Sequence, residues 1–282
     1  MSQDQTLNVN NLVIDMDGVL WHGDTAVPGI GKCLSSIRDL GVGVALASNN
    51  STKTAAQMEA KLAHMGIDLD LQYVVTSANA TVSYLKDNYP QATRAYVIGE
   101  DGLHDAVQQA GLQVVSVDDV RELAEADNLT AVDAVVGGLA RDLTYDLLAM
   151  GALLVRAGVP FIASNIDASF PSELGQLPGA GAVLDVVSTA SGVKPIVVGK
   201  PEQIIFQGAL KRLNASPDTS AMIGDRLETA ILGAQRAGMT SILVLSGVST
   251  KEDIQKTGIQ PDYVFEDIHA VAEALQTAQE RV

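Results

Sequence analysis

The sequence predicts an α/β protein built on a mainly parallel sheet, and three observations predict it. Short apolar runs alternate with amphipathic stretches along the 282 residues, the pattern of repeated strand–helix units. Hydrophobic residues make up 47% of the chain and aromatic ones only 4%, so Val, Leu, Ile and Ala must fill the core. That bias suits parallel strands covered by helices on both faces. Polar clusters close several of the apolar runs, at the carboxyl ends where open α/β sheets bind their ligands.

Leu12-Val13-Ile14 reads as the first strand and ends in Asp15. Pro28 to Leu40 reads as a helix stopped by Gly41, and Val42 to Ala47 as the second strand. Thr52 to Met65 is helical up to Gly66, Tyr73-Val74-Val75 is the third strand, and a helix runs from about Ser77 to Asn88. Near Asn88-Tyr89-Pro90 the pattern changes. From there to about Gly192 the chain has strands of its own at Tyr96-Val97-Ile98, Val114-Val115, Ala134-Val135-Val136 and Phe161-Ile162-Ala163, enough for a second domain. Its acidic stretch, Asp118 to Asp127, reads as a solvated helix face. After Gly192 come the strand Ile196-Val197-Val198, a helix from Pro201 and the strand Ala221-Met222-Ile223. Beyond Asp225, Leu227, Ala230, Ile231 and Ala234 fall at i, i+3, i+4 and i+7, a core-facing helical stripe. Ile242 to Leu245 and Tyr263-Val264-Phe265 are the last two strands. One pattern occurs twice: Leu40-Gly41-Val42 leads to Ala47-Ser48-Asn49, and Ala157-Gly158-Val159 leads to Ala163-Ser164-Asn165. Both read as helix stop, strand, then Ser-Asn at the strand's end.

The formal net charge is −16, which disfavours nucleic acid and anionic membrane surfaces as partners. It opposes an anionic ligand only mildly, because salt screens distant charge over about 8–10 Å and a local cation sets the field at a site. Cys33 is the single cysteine, so no intramolecular disulfide forms, and its helical surroundings mark it as a small core residue. The N-terminus is polar without a basic leader, and no apolar run approaches the roughly 18 residues of a membrane span. A soluble, cytoplasmic protein is the expectation.

Four segments carry the candidate chemistry. In Asp15-Met16-Asp17-Gly18 the chain should leave the strand after Asp15, and Gly18 permits an unusual turn there. Two carboxylates can then share one spot in different surroundings, one ionised as a nucleophile and the other protonated as an acid. A turn whose aspartates cap the next helix fits the same residues equally well. Asp225, after Gly224, serves as well as an N-cap for a helix from Arg226, with Glu228 completing a capping box. Taken together, Asp15, Asp17 and Asp225 at neighbouring strand ends would repel one another unless a cation lay among them. Mg²⁺ is held by at most two carboxylates with other oxygens and substrate phosphate. Lys200, in Gly199-Lys200-Pro201, sits at a helix start with Pro at the favoured first position. Lysines belong more often on solvated surfaces, but beside phosphate this one would be a compact point charge. Ser48 and Asn49 either cap the following helix or, with its N–H groups, form an anion site.

The set Asp15-Met16-Asp17-Gly18-Val19-Leu20-Trp21, Ser48-Asn49-Asn50-Ser51, Gly199-Lys200-Pro201 and Gly224-Asp225-Arg226-Leu227-Glu228-Thr229 resembles the haloacid dehalogenase superfamily. More closely it is similar to the NagD-like and para-nitrophenyl phosphatase branch, from about residue 12 to Asp267. The resemblance implies a Rossmann-like core over residues 1–88 and 194–282, with a large inserted α/β cap of the C2 type over 89–193. It implies Mg²⁺-dependent hydrolysis of small phosphomonoesters. Asp15 would be the nucleophile and Asp17 the acid for the leaving alcohol and then the base for water. Ser48 and Asn49 would bind the phosphoryl group, and Lys200 would stabilise its charge and orient Asp15. Asp15, Asp225 and the backbone carbonyl of Asp17 would hold the metal. Asn165, Asp167 and Pro178 lie where the branch carries its substrate-facing cap loop, though Asn and Asp equally favour turns. The implied partner is a small phosphorylated metabolite, excluded water being the work of the cap, and homodimers through the cap accord with the resemblance.

One position departs from the pattern. The branch has an acid after Gly-Asp-Arg-Leu-x-Thr, where this chain has Ala230. Losing a supporting carboxylate costs about 10–100-fold in metal affinity or activity. Glu228 would have to compensate from two positions earlier. The alternatives are therefore a catalytically weakened binding or regulatory protein, and a dehalogenase using the same nucleophile, which would have no need of Asp17. Gly179-Ala180-Gly181 follows Pro178 rather than a strand, with Leu184 where a third glycine would stand, so it is not a dinucleotide loop. His22, His64, His104 and His269 show no metal-ligand spacing. Trp21 and His22 either form a flap over the site or, for Trp21, pack in the core.

Overall fold

The computed structural model describes residues 7–172 and 174–280. The chain divides into two compact units. One holds the described residues up to Ser48, Glu59–Val75 and those from Lys200 onward; the other holds Asn49–Met58 and Thr76–Gly199.

A six-stranded sheet organises the first unit, in the order Tyr263–Phe265, Thr240–Val244, Ser220–Gly224, Asn11–Asp15, Gly43–Ser48, Val74–Thr76. The pairings from Tyr263–Phe265 through Gly43–Ser48 are all parallel. Asn11–Asp15 lies inside the sheet, and Leu12, Val13 and Ile14 are wholly buried, as a strand covered on both faces requires. The helix Ile30–Asp39 buries Ile30, Cys33, Leu34 and Ile37, a helical stripe, and packs against Ile268–Gln279. The stripe predicted after Asp225 is wholly buried at Leu227, Ala230, Ile231 and Ala234. Its first turn is wider than an α-helix: Leu227–Ile231 is π-helical, and the Ile231 N–H donates to the Arg226 carbonyl.

The second unit has a five-stranded parallel sheet, in the order Ile196–Val197, Phe161–Ala163, Ala134–Gly137, Arg94–Ile98, Gln113–Val115. Tyr96, Ile98, Val135, Phe161 and Leu184 are among the side chains of its core. The acidic stretch is the helix Val117–Glu125, started by a Ser116–Asp119 capping box and burying only Val120. An antiparallel hairpin, Ser169–Ser172 with Gly175–Pro178, had no counterpart in the strand pattern of the sequence.

The twice-occurring pattern has one structural meaning. Gly41 and Gly158 both close helices at positive φ, +78° and +93°, and the strands Gly43–Ser48 and Phe161–Ala163 lead to buried Ser48 and Ser164. The boundaries of the units differ from those expected at 88/89 and 193/194. Helix Ser77–Asn88 groups with the second unit because it packs against Asp101–Gln109. Residues 49–58 join it too: the Gly102 N–H donates to the Thr52 carbonyl, and a Cβ on Gly102 would lie 2.4 Å from the Lys53 oxygen. Among the described residues no helix is long and apolar enough to cross a membrane.

Candidate active site

Strand register brings the first candidates together. Asp15 pairs with Ala47, just before Ser48, and Ile14 pairs with Ile223, two residues before Asp225. Three adjacent parallel strands thus end in Asp15, Ser48 and Gly224-Asp225. Lys200 reaches the same place: its Nζ lies 2.5 Å from Asp15 Oδ2 and donates to the Ala47 carbonyl at 3.3 Å. Lys200 is 3% exposed, Asp15 7% and Asp225 2%, so the three charges are withdrawn from water. Burial and then the neighbouring Asp15 charge push the Asp225 carboxyl up to about 6. Lys200 and Arg226 pull the other way more weakly.

Asp17 differs from the expectation of three clustered acids. Its side chain is exposed, and its Oδ1 accepts the Trp21 indole Nε1–H at 2.8 Å. Gly18, at φ +83°, turns the chain out of the strand, and Met16 donates its backbone N–H to Asp15 Oδ1 at 2.9 Å. The buried carboxylates near one another in charge are therefore two, Asp15 and Asp225, with that of Asp17 exposed. Among the described residues no group of three or more His, Cys, Asp or Glu side chains is arranged to hold a metal.

The capping alternatives resolve residue by residue. Asp225 is not the cap of its helix: its Oδ2 accepts the Val248 N–H at 3.0 Å, and the Leu227 N–H goes to Ser249 Oγ. Glu228 is exposed whereas Ala230 is buried, so Glu228 does not stand in for the missing acid. The helix after Ser48 begins only at Ala55, where the Thr54 hydroxyl accepts the Gln57 N–H, so neither Ser48 nor Asn49 caps it. Asn50 folds its own turn, accepting from the Thr52 N–H and hydroxyl. Pro201 precedes the helix Gln203–Leu213 rather than opening it, and the Lys200–Pro201 bond is cis.

Within the second unit, Asn49, Asn165 and Asp167 form one network. The Asn49 side-chain amide donates to both oxygens of Asp167 at 3.2 Å, and Asn165 Nδ2 donates to the Asn49 carbonyl at 2.8 Å. The Asp167 N–H donates in turn to Asn165 Oδ1. Pro178 stands apart, exposed at the end of the hairpin. The structure thus groups a residue assigned to phosphate with two assigned to the cap loop.

Two known family models match the chain: a haloacid dehalogenase-like hydrolase model over residues 12–113 and a HAD-hydrolase-like model over 197–271. An acid sugar phosphatase of Staphylococcus aureus (strain USA300) is 40% identical over 262 residues, 93% of this chain and 96% of that protein. The chain belongs to the haloacid dehalogenase-like hydrolases. Two solved structures resemble this hydrolase along nearly its whole length. The p-nitrophenyl phosphatase from Archaeoglobus fulgidus gives a TM-score of 0.86 at 28% identity, covering 95% of this chain and 100% of that one. NagD from E. coli K-12 gives 0.81 at 31% identity, covering 93% and 98%. The hydrolase is NagD-like, and like the acid sugar phosphatase and the p-nitrophenyl phosphatase it is a phosphatase, an enzyme that cleaves phosphate monoesters.

A divalent cation fits the residues the hydrolase presents. Two buried carboxylates share one lysine, and the charge of one already raises the other. Carboxylate oxygens are hard donors, and two carboxylates are no more than Mg²⁺ usually accepts. Sequence reasoning missed the loop that frames this set. Ser246 Oγ donates to the Gly18 carbonyl, the Ser249 N–H to the Asp225 carbonyl, and a Cβ on Gly247 would lie 2.2 Å from Asp225 Oδ2. The one available signal was Ser246-Gly247-Val248-Ser249 following a strand on the carboxyl side of the sheet.

Proposed function

We propose that this phosphatase acts on small soluble phosphomonoesters through an aspartyl-phosphate on Asp15, with Mg²⁺ as cofactor. The observation that carries the reading is the buried contact of Asp15 with Lys200 at 2.5 Å, beside the buried carboxylate of Asp225. A carboxylate approaching a phosphate dianion meets like-charge repulsion, and an ammonium touching the nucleophile offsets part of it.

In the first step an Asp15 oxygen attacks phosphorus, the ester bond breaks, and Asp17 gives its proton to the departing alkoxide. In the second, Asp17 takes a proton from water as the water oxygen attacks phosphorus, and inorganic phosphate leaves Asp15 free. Two displacements replace one harder one. Lys200 holds the nucleophile in place and balances charge on the phosphoryl oxygens. Ser48 and Asn49 bind that group, a role given them by the resemblance. Asp15, Asp225 and the backbone carbonyl of Asp17 would hold the cation, which when bound neutralises charge at the reacting oxygens.

Residues 89–193 remain the proposed cap, with Asn165, Asp167 and Pro178 bearing on the choice of leaving group. The name of the acid sugar phosphatase relative puts sugar phosphates first among the classes to screen. The lone buried Cys33 accords with action in the cytoplasm. One observation favours a second reading: Ala230 is buried where an acid was expected, so a weakened enzyme that binds phosphate compounds is the alternative.

The test is pre-steady-state turnover of para-nitrophenyl phosphate with and without chelator. A burst of nitrophenolate that disappears on chelation, returns with Mg²⁺ and is absent in Asp15→Asn supports the reading. An Asp15→Asn enzyme turning over at the parent rate ends it.

A further inference from the structure

We infer that Trp21 is a positioning residue for Asp17 and that Lys61 braces it; this rests on the reading of Asp17 as the proton donor. The Trp21 indole Nε1–H donates to Asp17 Oδ1 at 2.8 Å, and the Trp21 carbonyl accepts the Gly18 N–H at 2.8 Å. One residue therefore holds both the carboxylate and the backbone of the turn that follows the nucleophile. Asp17 is exposed, and an unrestrained carboxylate there would lose time to other rotamers. Trp21 is 1% exposed, in the short hairpin Trp21–His22 with Thr25–Ala26, so its ring is a rigid support.

Lys61 ties that hairpin to the helix Ala55–His64. Its ammonium stands 4.6 Å from the Trp21 ring centroid, donates to the Gly23 carbonyl at 3.0 Å and lies 4.0 Å from Asp24 Oδ1. The ring face attracts the cation, and the cation in turn makes the indole N–H a better donor. With Oδ1 taken up by the indole, Oδ2 is the oxygen that exchanges the proton. A carboxylate fixed in this way helps most where the leaving group is most basic.

Leaving-group dependence tests the inference. Parent, Trp21→Phe, Lys61→Met and Asp17→Asn enzymes are assayed with para-nitrophenyl phosphate and with phenyl phosphate. The two esters are alike in shape, but phenolate, with a pKa of about 10, needs its proton far more. Trp21→Phe is expected to lower kcat/KM on phenyl phosphate about 10-fold or more, and on the nitrophenyl ester by less than about 3-fold, since kcat/KM covers only the step that expels the leaving group. Lys61→Met is expected to move the same ratio in the same direction by less. The ratio of two rates from one preparation does not depend on how much of it is folded, so a destabilised variant still reports. If Asp17→Asn shows the selective loss and Trp21→Phe shows equal losses or the parent ratio, the inference is overturned and the role of Asp17 stands. If Asp17→Asn treats both esters alike, the acid role falls and the inference falls with it.

Discussion

Asp225 packs so closely on Gly18 that a Cβ on that glycine would lie 2.3 Å from Asp225 Oδ2. Gly18 also holds φ at +83°, a region that L side chains enter at a cost of about 1–2 kcal/mol. The glycine of the Asp-x-Asp-Gly turn is thus required by its neighbour as much as by its own backbone. Gly18→Ala is expected to lose about 2–4 kcal/mol of stability in urea unfolding. Displacing Asp225 by about 1 Å should cut kcat roughly 100-fold, measured on the folded fraction.

Removing the lysine tests the charge balance of the pocket. Lys200→Met keeps the aliphatic stem but leaves Asp15 and Asp225 buried without their ammonium. Breaking such a buried pair typically costs about 3–5 kcal/mol. Loss of one charge-stabilising group typically lowers kcat by about 10²–10³. Thermal unfolding and turnover of a phosphate ester measure the two effects separately.

The raised Asp225 carboxyl has a consequence for stability in the metal-free protein. Its ordinary value is 3.8 and in the folded chain it stands at about 6, so the folded state holds its proton more tightly than the unfolded one. This stabilising contribution is fully present below about pH 4 and is lost as pH rises through about 6, roughly 3 kcal/mol in all. Metal-free Asp225→Asn should lack that loss, so its stability relative to the parent should grow between pH 4 and 7. Urea titrations of both proteins across that range measure it, and a constant difference would contradict the assignment.

Ala230 offers a gain of function. It is wholly buried in the π-helical turn Leu227–Ile231, on the strand end that carries Asp225. Ala230→Asp would supply the acid that the family pattern has there, and is expected to tighten apparent Mg²⁺ affinity by about 10-fold or more. The half-saturating Mg²⁺ concentration for phosphate-ester turnover gives the answer.

Cys33 should be inert. Burial, then the charge of Asp267, pushes its thiol up to about 11, and the Sγ–H donates to the Ile268 carbonyl. Iodoacetamide at pH 8 should label the native chain at least about 100-fold more slowly than the urea-unfolded chain, followed by mass spectrometry.

Elements with a strong period were legible in the sequence. The stripe Leu227, Ala230, Ile231, Ala234 is buried as its spacing requires, and the helix Ser77–Asn88 has the bounds its pattern suggested. The hairpin Ser169–Ser172 with Gly175–Pro178 was not legible, because neither strand alternates polar and apolar residues. The capping alternatives were left open by the sequence for a related reason. Ser48, Asn49 and Asp225 all have side chains suited to capping, yet Thr54 and Ser249 receive the N–H groups of those helices. Capping propensity is local, and tertiary contacts decide which of several suitable residues is used.

The order of acids, lysine and strand ends along the chain carries the resemblance that implied an α/β hydrolase, and parallel strands deliver whatever follows them to one edge of the sheet. Folding decided which of those groups meet. Asp15 and Asp225 come into each other's field because their strands are neighbours, while the exposed carboxyl of Asp17, two residues from Asp15, is held by the indole N–H of Trp21. Spacing in a sequence determines which side chains leave a strand together. Burial, partner strands and hydrogen-bond donors from distant loops determine where their charges end up.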